Sequence, residues 1–574
     1  MCLESMLRGA GPPVFHQRAT RLLSQPLRFP GLLIVNLSFS FCLAAALSNG
    51  LGNEPTQAQQ HADKALQLVK DGDLEHAEAE LRRAVELDSN NAVYLGSLGA
   101  VLGMEQKLRE SDVYLRKALG IKPDDLASRR NLASNLFQLG QLQPAKENLE
   151  RVLKATPGDK TSILLLGMVS EELKDYAAAV KWLASVSDQV YQRPQSIAAL
   201  ARAYYNTGQK EKAEATLKEL SGSSRKSESP EGTFLGGQVA AQAGDYETAE
   251  GMFASIWTTY PDIGKLGYSL ALARYHANRI QESQDTLHKL IAAGHETGDI
   301  DNLMAWCLYK QGEAKDAVRA MDRAIELDPA KESNYLDVGV MLSDLHQYPG
   351  ALLAAEKAVE LVPDSYRAWR LKGLTEARLD RIKEAQNSYA RAVELNPYDE
   401  QSILGLASEQ LNDGKIKETE ATLEKGIEHL PRDPALYQGY GIMLLWLGGA
   451  TDASRQLRAV TLLQTALRLD GSLAEPHYQL GKLAIHEGKF SEALQEFETA
   501  NRLDPASGKT HYELALVYRK LGRTEEADRE LQTYKSLKAS EGDRALGEPA
   551  GASVLTAPAL QLSPSGVPPS PKAD

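Results

Sequence analysis

Few residue patterns in this chain could carry catalysis. A helical zinc site of the hydrolytic kind needs two histidines one turn apart with a glutamate after the first, so that both rings face one metal. His295-Glu296 and His486-Glu487 each begin such a pattern, and neither has the second histidine. Gly508-Lys509-Thr510 looks like the end of a phosphate-binding loop, in which backbone amides close on the phosphates. The position of that loop's leading glycine holds Leu503, and the segment opens a helix instead of leaving a strand. No Cys-x-x-Cys pair and no Gly-x-Ser-x-Gly elbow occurs, and the eleven histidines are scattered. The chain reads as non-enzymatic, with no cofactor, no metal ligands and no catalytic residues. An unrecognised catalytic site would need a buried cluster of titratable groups.

Composition narrows the class. At 574 residues the chain exceeds what one core supports, about 250–300 residues, so it needs several domains or a core that grows along an axis. A balance of 64 Lys and Arg against 77 Asp and Glu, net −13, argues against broad nucleic-acid binding. Three cysteines exclude a disulfide framework, and beyond the first fifty residues only Cys307 remains. Residues 1–50 differ from the rest. Arg8, Arg18, Arg21 and Arg28 stand against Glu4, and the apolar run Leu32 to Leu47 ends in Ala44, Ala45, Ala46 and Ser48. That pattern predicts a secretory signal peptide, hence export to the periplasm or cell surface. The run has 16 residues, short for a span of about 20, so anchoring through residues 32–47 is the alternative and the only membrane contact expected. Either Met1 or Met6 serves as the start. Phe41 before Cys42 excludes a lipobox.

One period organises the chain from about residue 58 onward. Ala84, Ala118, Ala324, Ala358 and Ala392 each sit in a segment like AVELDS, AIELDP or AVELNP. Traced along the chain, that place falls at 84, 118, 152, 186, 220, 256, 290, 324, 358, 392, 426, 466, 500 and 534, in steps of 34 except for one of 36 and one of 40. Within a unit, Leu132, Ala133 and Leu136 mark one helical face and Gly140 ends that helix. Ala145, Leu149 and Val152 mark the second helix, which Pro157 stops; Leu480, Gly481, Ala484, Gly488, Ala493, Phe497, Ala500 and Pro505 repeat the pattern. Small residues belong where the two axes approach, and larger ones between neighbouring hairpins.

These residues resemble the tetratricopeptide repeat (TPR) signature over about residues 58–540, in the manner of long exported bacterial arrays. The resemblance implies an all-α fold, a right-handed superhelical α-solenoid of about fourteen helical hairpins, acting as a non-catalytic protein-interaction scaffold. Departures are few: Trp369 alone holds the family's tryptophan, and Ser111, Ser283 and Thr419 replace the central alanine of the second helix, which should weaken those units. The family's groove positions fall on Phe234, Tyr268, Tyr275, His276, Asn302, Trp306, Tyr309 and Lys310, then Arg367, Arg370 and Arg378. Aromatics beside arginines suit an extended peptide with apolar and acidic side chains. Trp446, Tyr478, His486 and Tyr512 form a second group. An aromatic stripe at helical spacing also serves packing between hairpins. Stacking on a glycan within an envelope secretion or exopolysaccharide-export assembly is the alternative function. The family's carboxylate clamp is incomplete, since Arg130 and Asn131 are succeeded by Ser134, Thr161 and Leu164, and only Asn131 falls on the asparagine ladder of the O-GlcNAc transferases.

The domain plan is therefore a signal or anchor at 1–50, a linker at 51–57, units one to five at 58–220, a polar seam at 221–233, units six to fourteen at 234–540 and a disordered tail at 541–574. Gly236 and Gly237 should weaken the helix after the seam. Unit twelve carries the six-residue excess, which predicts a second helix at about 452–469 longer by nearly two turns.

Overall fold

The structure, a computed structural model, describes residues 56–221, 229–448 and 452–547. The leader at 1–50 and nearly all of the 51–57 linker lie outside the described residues. Two compact units divide the described chain between Thr286 and Leu287. The N-terminal unit holds α1 (Gln57–Asp71), α2 (Leu74–Leu87), α3 (Ala92–Met104), α4 (Leu108–Ile121), α5 (Leu126–Gln138), α6 (Leu142–Ala155), α7 (Lys160–Glu172), α8 (Tyr176–Ser185), the one-turn α9 (Ser187–Val190), α10 (Pro194–Asn206), α11 (Lys210–Ser221), α12 (Pro230–Gln242), α13 (Tyr246–Ser255), α14 (Ile263–His276) and the start of α15 (Ile280–Ala292). The C-terminal unit continues α15 and adds α16 (Gly298–Lys310), α17 (Ala314–Leu327), α18 (Glu332–Asp344), α19 (Tyr348–Leu361), α20 (Tyr366–Arg378), α21 (Ile382–Leu395), α22 (Glu400–Asn412), α23 (Ile416–His429), α24 (Pro434–Gly448), α25 (Ala453–Leu469), α26 (Ala474–His486), α27 (Phe490–Leu503), α28 (Gly508–Lys520) and α29 (Thr524–Gly547). No strand occurs among the described residues.

Each unit is an α-solenoid of paired helices. Within a hairpin the first helix packs on the second, and the second packs on the first helix of the next hairpin. Small residues set the approach inside a hairpin. A Cβ on Gly99 would stand 2.6 Å from the Leu115 side chain, and one on Gly481 2.9 Å from Phe497. Among the described residues the turn between paired helices has one conformation. Gly72, Gly140, Gly208, Gly244, Gly312, Gly414, Gly488 and Gly522 have φ of 71° to 84°, and Gln106, Lys174, Asn278, His346 and Asp380 take the same left-handed place at 57° to 64°. The following amide closes the turn, as Gln141 N does on Leu136 O at 2.8 Å. Apolar side chains from successive hairpins then merge into cores, such as Leu404, Leu423, Leu436, Tyr440 and Met443.

Several sequence expectations need correction. Gly236 and Gly237 do not mark a loose helix: a Cβ on either would stand 2.3 Å from Met252 or 2.5 Å from Phe253, so both permit close packing. Helix α11 reaches Ser221 and α12 starts at Pro230, which leaves 222–228 of the seam outside the described residues. The excess of unit twelve is shared. Helix α25 has 17 residues against 14 in α23 and α27, less than one extra turn, and α24 has 15 against the usual 13. Its cap is as expected, with Asp452 accepting from Ser454 N and Arg455 N, both at 3.1 Å. The last helix continues to Gly547, past the expected start of the tail, and 548–574 lie outside the described residues. Ser111 and Ser283 do not simply cost their units an alanine. Their hydroxyls donate to Gly99 O (2.5 Å) and Ala271 O (2.7 Å), tying the second helix to the first.

Candidate partner-binding surface

The register decides which first-helix side chains can meet a partner. Numbering each unit from Gly298 and its equivalents, the expected groove residues occupy places 2, 5, 9, 12 and 13. Place five is mostly covered by the succeeding hairpin, with Tyr268 and Arg370 left half-buried. Phe234, Asn302, Leu336, Leu404, Gln438 and Tyr478 are all buried, whereas Tyr512 in the last hairpin is 42% exposed. Place nine behaves alike, with Trp306 only 1% exposed and Leu516 of the last hairpin at 39%.

Four expected contact residues are therefore packing residues. Phe234 stacks on Tyr260 with centroids 4.6 Å apart, and Tyr478 meets Phe497 at 5.7 Å. Trp306 and Tyr275 are each 1% exposed and cannot present a ring to a partner in this conformation. Polar side chains at place five spend their bonds on the next hairpin. Asn302 Nδ2 donates to Asp337 Oδ2 (2.8 Å) and Asn334 Oδ1 (3.2 Å), all three residues being buried. Arg370 pairs with Asp399 at 2.8 Å, and Arg130 pairs with Asp159 at 2.9 Å in the same register. Those aspartates stand at the N-cap of the next first helix and accept from Ser402 Oγ at 2.5 Å and Ser162 Oγ at 2.6 Å. Asn302 and Arg370 are thus hairpin-to-hairpin ties and not open groove contacts.

Trp369 has a local role as well. Its Nε1 donates to Pro363 O at 2.8 Å, and Tyr335 and Tyr437, at the same place, reach Pro329 O and Pro431 O at 3.1 Å. These rings fasten the loop between hairpins.

Place thirteen, at the C-terminal end of each first helix, is the more accessible row, whereas at place twelve Tyr275 and Leu411 are buried and Tyr309 is half-buried. In the C-terminal unit place thirteen holds Lys310, Asp344, Arg378, Asn412, Trp446, His486 and Lys520. Lys310, Asn412, Trp446, His486 and Lys520 are exposed, and Trp446 keeps 63% of its surface. Arg367 and Arg378 are half-buried, Arg367 lying 5.7 Å from the Tyr366 ring centroid. Tyr309 donates to Asp344 Oδ2 at 2.8 Å, and burial raises the Asp344 carboxyl above the usual range. In the N-terminal unit Tyr268 and His276 are half-buried, with His276 stacked on Tyr246 at 4.7 Å. Asp344, Asn412 and Lys520 were missed in the sequence, although the 34-residue step leads straight to them. Among the described residues no group of His, Cys, Asp or Glu is arranged to hold a metal, and no helix is long and apolar enough to cross a membrane.

Family models described as tetratricopeptide repeat match residues 130–189, 198–261, 268–332, 342–400 and 484–547, more than half of the chain. The chain belongs to the tetratricopeptide repeat family. Among curated TPR-containing relatives, anaphase-promoting complex subunit 3 of Schizosaccharomyces pombe is 25% identical over 173 residues, 30% of this chain and 26% of that protein. The Hsp70-Hsp90 organizing protein of Triticum aestivum is 31% identical over 99 residues, 17% of each chain. The matched stretches span about a quarter or less of these relatives. Of solved structures, yeast Tom70 is similar at TM-score 0.38 and 17% identity, over 85% of this chain and 96% of that one. The TPR assignment rests on the family models.

Proposed function

We propose that this TPR array is a non-catalytic scaffold that holds a partner polypeptide along the place-thirteen row of its C-terminal unit, and that residues 1–50 direct it out of the cytoplasm. The observation that carries the binding reading is Trp446, a tryptophan 63% exposed in a row with Lys310, Arg378, His486 and Lys520, in a chain whose net charge is −13. A rigid exposed ring supplies contact area at small ordering cost, and cations steer and fix carboxylates. The partner is an extended segment with apolar and acidic side chains. Packed helices lie about 8–10 Å apart, so an extended chain at about 3.3 Å per residue passes one hairpin every three residues. Lys310 and Arg378 stand two hairpins apart, with Asp344 between them, so acids about six residues apart match that pair.

The test uses a library of peptides that alternate Asp or Glu with Leu or Phe, titrated against the full chain. Acidic-apolar peptides bind, and Trp446→Ala weakens them at least tenfold, about 1.4 kcal/mol. Arg378→Glu does the same while thermal stability is kept. Equal binding by both variants sinks the reading. Export is checked by mass spectrometry of the N-terminus of the purified protein, since an intact residue 1 or 6 on a soluble protein defeats it.

A further inference from the structure

One junction between hairpins in the C-terminal unit buries a polar side chain that nothing answers. Place-five side chains meet the succeeding first helix at its place three, at its place six and at the residue just before its place one. Asn302 reaches Asn334 (3.2 Å) and Asp337 (2.8 Å), Arg370 reaches Asp399 (2.8 Å), and a Cβ on Gly439 would stand 2.9 Å from Leu404. At the junction of hairpins twelve and thirteen those positions hold Pro476, Gln479 and Leu473. Proline and leucine side chains offer no hydrogen bond, and Gln479 donates to Glu475 Oε1 at 2.7 Å. Gln438, the place-five residue there, is 1% exposed, and neither its Nε2 nor its Oε1 has a partner. Leu473 also leaves α26 without the side-chain cap that Ser365, Asp399 and Asp433 give to α20, α22 and α24. The core on one side, with Met443 and Ala459, and the core on the other, with Tyr478 and Phe497, are separate clusters. Across the seam Gln456 donates to Glu487 Oε1 at 2.7 Å, between exposed side chains.

We propose that this seam is the hinge of the C-terminal unit, where hairpins thirteen and fourteen swing away from hairpin twelve. With the seam shut, the Gln438 amide has lost water and gained no hydrogen bond, a cost that the closed state alone carries. Opening wets both amide atoms and the first-turn backbone amides of α26, so this seam parts before its neighbours do. Leu336 and Leu404, at the same place in hairpins nine and eleven, are apolar and buried and incur no such cost. Asn302 and Arg370 recover it through their partners. The seam lies between Trp446 and His486, so its motion sets the spacing of the place-thirteen row, whatever that row binds.

The experiment measures distances between spin labels on cysteines introduced in pairs at Leu353, Ala421 and Gln495 of the full chain. These exposed residues share one place of the second helix and stand two hairpins apart. Cys307 is fully buried, and Cys2 and Cys42 are changed to Ser, so that only the introduced thiols react. The 421–495 distribution, which crosses the seam, is expected to be about twofold wider than the 353–421 distribution, which does not. Gln438→Leu, which copies hairpins nine and eleven, narrows it to the control width. Leu473→Asp does the same by a separate route, accepting from the Gln438 amide and capping α26. Both variants are compared at the parent's helical circular dichroism, and either one that keeps it suffices. Equal widths in the parent chain, or a 421–495 distribution that the folded variants leave unchanged, overturns the proposal.

Discussion

Asn302 and Arg370 share place five of their hairpins, and both turn a polar side chain toward the succeeding hairpin. Removing the Asn302 amide leaves the buried Asp337 and Asn334 acceptors one donor short, so Asn302→Ala lowers stability by about 1–3 kcal/mol. Denaturant unfolding measures this, and peptide affinity per folded molecule stays the same. A binding loss without a stability loss sinks the assignment. Glu400 shows the opposite situation, an acid with acids for neighbours. Burial, and then the Asp433 and Asp399 carboxylates, push its carboxyl up to about 8, against the lowering effect of Arg370. The unfolded chain gives up that proton in the ordinary carboxylate range, while the folded chain keeps it to about pH 8. The contribution of Glu400 to stability is therefore full below the carboxylate range and is lost as pH rises toward 8. In Glu400→Gln this part of the pH–Tm profile flattens; parallel profiles for the two proteins refute the cause given.

At the scale of the helices, the period of 34, the hairpin turn and the alanine stripe were all legible, because each repeats a local physical demand: a left-handed residue, a close approach, an apolar face. What the sequence did not show was cover. Trp306 and Lys310 lie on one helix and both matched groove places, yet one is sealed by the next hairpin and the other is exposed. Burial of that kind belongs to the stack and leaves no mark on the element itself. Glycine was misread for the same reason. Composition makes Gly237 a weak point of α12, whereas the Phe253 ring lies 2.5 Å from where its Cβ would be. Gly237→Ala, which raises helix propensity, should nonetheless destabilise by about 1–3 kcal/mol through overpacking. A higher melting temperature for this variant would restore the loose-seam reading. The left-handed place is the reverse case: Lys174 and Gln106 occupy it without the glycine that would have advertised it.

For the whole chain, the proposed binding row and the packing rows are separate places of one pattern. Most place-five and place-nine side chains pack against the succeeding hairpin, and the proposed partner row is place thirteen, so binding variants at Trp446 and stability variants at Asn302 should combine additively. The ties between neighbours are also interchangeable, and this has a consequence. Asp433 stands 34 residues after Asp399, and its carboxylate accepts from Ala435 N at 2.9 Å at the start of α24. Excising residues 371–404 would graft the front of α20 onto the back of α22 and hand Arg370 a fresh aspartate in the vacated spot. The shortened molecule should fold, as a string of beads closes after one is removed, and should lose the alkaline sensitivity along with Glu400. A spliced chain that fails to fold would mean that these hairpins are individuals and not copies.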